Sequence, residues 1–112
     1  MSSLQTVTAT ILTNQSLSDQ VTLLGPIASI AIPPDLEGSI LSFQETPDNG
    51  ASFLEVNRDG NPVDELVVAG TFAQIDSTFW SGSTAIKVRT GTADRPVVQS
   101  AQREIVIYMR VG

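Results

Sequence analysis

The chain carries twelve Asp and Glu residues but no His and no Cys, so carboxylates are its main candidates for acid–base chemistry. Two carboxyl groups facing each other across a cleft would suit glycoside hydrolysis, one as acid and the other as base or nucleophile. The sequence instead puts Asp35, Glu37, Asp48, Asp59, Asp76 and Asp94 in turn-forming stretches. Carboxylates in turns are more often solvated or bonded to local backbone N–H groups. Without imidazole or thiol, the usual nucleophilic triads lack both base and sulfur nucleophile. Zinc and copper lose their preferred ligands, and a disulfide framework is excluded. These residues point to a protein that is not an enzyme and holds no metal or cofactor.

Three stretches invite a binding function. Asn57-Arg-Asp-Gly-Asn61 has the alternating oxygens of part of a calcium loop. An EF-hand needs glycine sixth and a bidentate Glu twelfth, and neither frame supplies that Glu: the twelfth residue is Val68 or Leu66. The plain reading is a hairpin turn. Gly91-Thr-Ala-Asp94 is the nearest approach to a phosphate loop, and its acid opposes an anion. Trp80 and Tyr108 are the two rings on which a sugar would stack, which makes a carbohydrate-binding β-sandwich module an alternative. The four Phe residues are expected in the core. The stretch Phe79 to Thr92 holds the only Trp and the only Lys. It reads as scaffold, with Phe79 or Trp80 plugging one end of the fold and Lys87 and Arg89 facing outward to discourage random strand pairing.

At 112 residues the chain is expected to form one domain, spanning 1–112. Such a chain buries roughly 65% of its unfolded surface, enough for a single core. Only 16% of its residues are charged, against about 25% in a typical protein, and Ser, Thr, Asn and Gln take their place. A net charge of −6 opposes nucleic acid and anionic membranes and favours a basic protein surface. No apolar run approaches a membrane span, and Met1-Ser-Ser-Leu-Gln lacks the features of a signal peptide. The expected place of synthesis is the cytoplasm.

The elements that must position these residues read as strands. Thr6–Thr13, Val21–Leu24, Ile27–Ile32 and Ser39–Glu45 are rich in β-branched or alternating apolar residues. Asn49-Gly50 signals a type I′ hairpin turn, with Ser52–Asn57 returning, and Arg58–Asn61 makes a second turn. Glu65–Ala69 and Thr71–Ile75 are expected as consecutive strands around Gly70. Asp76 to Trp80 is the one place where a helical turn fits. Thr84–Thr90 and Arg103–Arg110 are strands, separated by the irregular segment Gly91–Ser100. About nine short strands at roughly ten-residue spacing predict an all-β fold, a single antiparallel β-sandwich with jelly-roll or related Greek-key topology.

From about Leu17 to Arg110 the chain resembles the head decoration, or cement, proteins of tailed bacteriophages. The matching pieces include Leu41-Ser-Phe-Gln44, Pro47-Asp-Asn-Gly-Ala-Ser-Phe53, Val68-Ala-Gly70, Phe79-Trp-Ser-Gly82, Ile86-Lys-Val-Arg-Thr-Gly-Thr92 and Pro96-Val-Val-Gln99. The resemblance implies a structural protein on the outer surface of the virion head, bridging subunits of the major capsid protein. It also implies a homo-oligomer, a dimer or trimer, at symmetry axes. A tail, neck or fibre component of the particle would share these patterns. The expected contact residues are Trp80, Arg95, Val97 and Val98, with Met1 to Gln5 as a flexible N-terminal arm.

Overall fold

Alternating Thr and aliphatic residues produce the first strand of the computed structural model, which describes residues 3–75 and 85–112. In β1 (Ser3–Ile11), Ala9 and Ile11 are buried while Leu4, Thr6 and Thr8 face solvent. Short strands follow: β2 (Val21–Thr22), β3 (Ile27–Ala31), β4 (Ile40–Glu45), β5 (Leu54–Glu55), β6 (Asn57–Arg58), β7 (Asn61–Pro62), β8 (Glu65–Leu66) and β9 (Phe72–Gln74). β10 (Ala85–Thr90) and β11 (Arg103–Val111) complete the chain. No helix occurs among the described residues, and the fold is all-β.

The strands form two larger antiparallel sheets, one ordered β1-β11-β3-β9 and the other β2-β10-β4-β5, with β8 also on β4. The sheets share one apolar core. The first contributes Ile11, Ile27, Ile30, Ile105, Ile107 and Met109, the second Leu41, Phe43, Ile86 and Val88, all at most 1% exposed. Burying each such side chain favours the fold by about 1.5–3 kcal/mol relative to exposure. With no disulfide present, that packing supplies the main stabilisation.

Both tight turns form as their residue types require. Asn49 and Gly50 have φ of 58° and 95°, and Asp59 and Gly60 have 54° and 81°. Positive φ at both central positions is the type I′ condition. Asp59-Gly60 joins β6 directly to β7, whereas Asn49-Gly50 turns the chain within the longer connection from β4 to β5. The segment Asn57–Asn61, with its calcium-loop-like oxygens, is thus the β6–β7 hairpin.

Several expectations change. Glu65–Ala69 and Thr71–Ile75 are not neighbouring strands, because β8 pairs with β4 and β9 pairs with β3 in the opposite sheet. Phe43 is a core residue, but Phe72 is 59% exposed and Phe53 only half-buried. β9 turns Ala73 inward, which leaves Phe72 on the solvent side. Ser3 to Gln5 do not form a free arm, since they pair with Val111, Arg110 and Met109 of β11. Met1, Ser2 and the stretch 76–84, including the expected helical turn, lie outside the described residues.

Candidate functional site

One side chain holds the connection between β10 and β11 from beneath. Gln99 is 0% exposed. Its Nε2 donates to the Glu37 carbonyl (2.8 Å) and to Thr90 Oγ1 (3.1 Å). Its Oε1 accepts from Glu37 N (3.0 Å) and Arg103 Nε (3.1 Å). Its backbone N–H donates to the Gln15 carbonyl and its carbonyl accepts from Asn14 N, at 2.9 and 2.8 Å. A buried amide needs this many partners to offset its desolvation. The result ties together three turns: residues 12–16, 33–39 and 91–102.

Further bonds keep the connection rigid. Thr90 Oγ1 donates to the Val97 carbonyl (2.6 Å), and Val97 N donates to the Thr90 carbonyl (2.8 Å). The Glu37 carboxylate accepts from Ser100 N (2.7 Å) and Ser100 Oγ (2.8 Å). Arg103 Nη1 lies 3.2 Å from Asp35 Oδ2. Gly91, at φ 86°, allows the chain to fold back on itself. A Cβ there would overlap the Arg95 carbonyl and the Val97 nitrogen.

The predicted contact residues divide on this frame. Arg95 is exposed; its backbone closes a turn with Thr92, and its side chain meets no partner among the described residues. Val98 is 54% exposed. Val97 is half-buried, with its methyl groups against Gly38, so it anchors the loop more than it presents it. Trp80 lies outside the described residues. Leu12, 50% exposed, borders a recess of about 350 Å³ with Gln15 and Asp19 beside the same loop. Gln99 and Leu12 were not among the predicted contact residues. A glutamine in an irregular stretch carries no periodic signal.

A second polar cluster covers the outer face of the β10 sheet. Arg89 is only 7% exposed and grips Glu55 through both terminal nitrogens, at 2.9 and 2.5 Å. Gln44 Nε2 donates to the same carboxylate at 2.7 Å. The Arg89 hydrogen bonds hold the Glu55 carboxyl below its usual value, against an opposing effect of partial burial. Lys87 Nζ sits 4.6 Å over the ring of Phe53. The expectation that Arg89 faces solvent is therefore corrected, because the chain from Phe53 onward folds across it. β10 is also flanked by β2 and β4, so it is not an edge to protect. A cleft of about 230 Å³ lies here, lined by Ser42, Glu55, Asp64, Arg89 and Asp94 among others. Arg89 Nε has no hydrogen-bond partner among the described residues, and it is buried beneath the surface of that cleft.

Tyr108 is half-buried on the outer face of the other sheet, edge-to-face with Phe72 at 5.5 Å and 64°. The two rings therefore meet at a steep angle and make a corner, not a flat platform for a sugar ring. No helix among the described residues is long and apolar enough to cross a membrane.

The loop carboxylates set an acid limit. Ser100 hydrogen bonds hold the Glu37 carboxyl below its ordinary value of 4.5, and Ser52 does the same for Asp48 below 3.8. A depressed folded-state value means the contribution is present above the ordinary value and is lost as pH falls through the folded one. The urea midpoint should therefore decline as pH drops below about 4.5, and Glu37→Gln should flatten part of that decline.

No protein family, curated protein or solved structure matches this chain.

Proposed function

We propose that the protein is a structural, non-enzymatic component of a phage particle that binds the outside of the assembled head and bridges subunits of the major capsid protein. Strand order supports a jelly-roll reading of the fold. In a jelly roll, a long antiparallel hairpin is rolled up, so the first strand pairs with the last and each inner pair follows in turn. Here β1 pairs with β11, β2 with β10, β3 with β9 and β4 with β5. Jelly rolls recur in viral particle and lectin domains, so topology alone leaves function open.

The observation that carries the reading is the loop locked by Gln99. It presents Arg95 and Val98 in a fixed conformation, so docking need not first order a mobile segment. A rigid, partly apolar tip with a cation, Arg95, that meets no partner among the described residues suits adhesion. Binding the lattice and not free subunits would stabilise a pressurised shell by mass action. Repetition over many sites would let modest contacts suffice. The net charge of −6 favours a partner surface that is basic overall, with an acidic group opposite Arg95 at the tip, and binding that weakens with salt.

Co-sedimentation with assembled, empty shells tests this. The wild type should pellet saturably with shells and stay in solution with unassembled capsid subunits. Arg95→Glu combined with Val98→Asp should weaken shell binding at least about tenfold, near 1.4 kcal/mol, without lowering the melting temperature. A double variant that binds like the wild type would remove this loop as the contact.

A further inference from the structure

We infer that β1 is a self-association edge, and that two copies of this chain join their β1 strands antiparallel across a two-fold axis into one continuous sheet. β1 is nine residues long and lies at the edge of its sheet. The other edge strands among the described residues, β2, β5, β6, β7, β8 and β9, are only two or three residues long. Short edges are a usual defence against unwanted pairing, as are charges, prolines and bulges. β1 has none of these: its sequence SLQTVTATI is uncharged and rich in β-branched residues, and its register with β11 is unbroken.

The open side of the strand can be assigned. Thr10 N donates to Asp19 Oδ1 (2.9 Å) and its carbonyl accepts from Asp19 N (3.1 Å), so Thr10 points its backbone away from β11. Backbone groups alternate sides along an antiparallel strand. Leu4, Thr6 and Thr8 therefore aim their N–H and C=O groups outward as well, and they bond no described residue on that side. Asp19 closes the ladder at Thr10, and the free row ends there.

A second copy fits this row better than an unrelated strand. Centred on Thr6, the two-fold pairs Thr6 with Thr6 of the second copy and Leu4 with Thr8 of the second copy, each pair exchanging two N–H···O bonds. All three outward residues on each chain are then satisfied. Thr–Thr neighbours across strands are favourable, and no like charges meet. Each copy carries a net charge of −6, so an uncharged strip is where two copies approach with least repulsion.

Sedimentation of the purified full chain tests the pairing. The wild type should form a dimer at about 100 μM, and Thr6→Glu, which sets two carboxylates opposite each other, should weaken it at least tenfold. Because the chain has no cysteine, Thr6→Cys should cross-link into disulfide dimers on mild oxidation. Thr8→Cys should not, since its expected neighbour is Leu4 of the second copy. A monomeric wild type, a Thr6→Glu variant that remains dimeric, or Thr8→Cys cross-linking as readily as Thr6→Cys would each overturn the inference. The inference does not rest on docking to a shell, and its failure would leave the shell-binding result unaffected.

Discussion

Gln99→Leu should lower the unfolding free energy by about 3 kcal/mol and release the β10–β11 loop while the sheets survive. The leucine is close in volume, so packing changes little, but four hydrogen-bonding partners lose their match. Glu37 N, the Glu37 carbonyl, Thr90 Oγ1 and Arg103 Nε all bond the amide of Gln99. A buried donor or acceptor left unsatisfied costs about 1–3 kcal/mol, and Thr90 Oγ1, which is buried, loses its donor and keeps its bond to the Val97 carbonyl. Partial rehydration of the more accessible Glu37 backbone keeps the total well below a simple sum. Urea unfolding gives the energy, and amide exchange of residues 91–102 gives the location. A cost below about 1 kcal/mol would mean that the loop is held elsewhere.

The next largest effect concerns the Arg89–Glu55 pair, where the two single substitutions should differ in size. Glu55→Ala leaves a guanidinium that is 7% exposed without its two acceptors. Breaking a fully buried pair costs about 3–5 kcal/mol, and access of water through the Glu55 side, 40% exposed, reduces this to about 2 kcal/mol. Arg89→Met instead leaves a carboxylate that can hydrate and still accepts from Gln44. Its cost should be about 1 kcal/mol or less, because the methionine retains much of the apolar stem. Equal losses in the two variants would assign the effect to packing of the arginine stem. Arg89→Met should also relax the Glu55 carboxyl toward its ordinary value, removing stability that is otherwise present above 4.5 and lost as pH falls through the depressed value.

The strands and turns were the legible part of this sequence. Thr and aliphatic alternation marks β1, the run of Ile, Val, Tyr and Met marks β11, and Asn49-Gly50 and Asp59-Gly60 mark the tight turns, because each is a local preference acting on local backbone. What the pattern could not reveal was which sheet each strand joins. Glu65–Ala69 and Thr71–Ile75 look like a pair in sequence, yet the corner between them carries the chain from one sheet to the other. The same gap explains Arg89. Alternation correctly places it opposite Ile86 and Val88, but its burial depends on the segment around Glu55 covering it, a long-range contact without a period. Phe72 shows the reverse: an aromatic residue expected in the core stands outside because inward-facing Ala73 sets the phase of β9.

The β10–β11 loop was legible only in outline. An irregular stretch containing Pro96 and bounded by Gly91 announces a loop, and Arg95 and Val98 do reach solvent there. Gln99 gave no warning, because its role arises from three turns converging in space. The proposed role follows from that convergence: a closed two-sheet body with one stiff tip is suited to adhering to another surface. The long uncharged edge of β1 adds a second way to assemble, by copying the sheet across an axis.

Imaging of an intact particle that incorporates this chain tests the central proposal most directly. Density for the two-sheet body should appear on the outside of the head, over seams between capsid subunits, with the Arg95–Val98 tip against the shell. Density confined to the tail, the neck or the interior would contradict it.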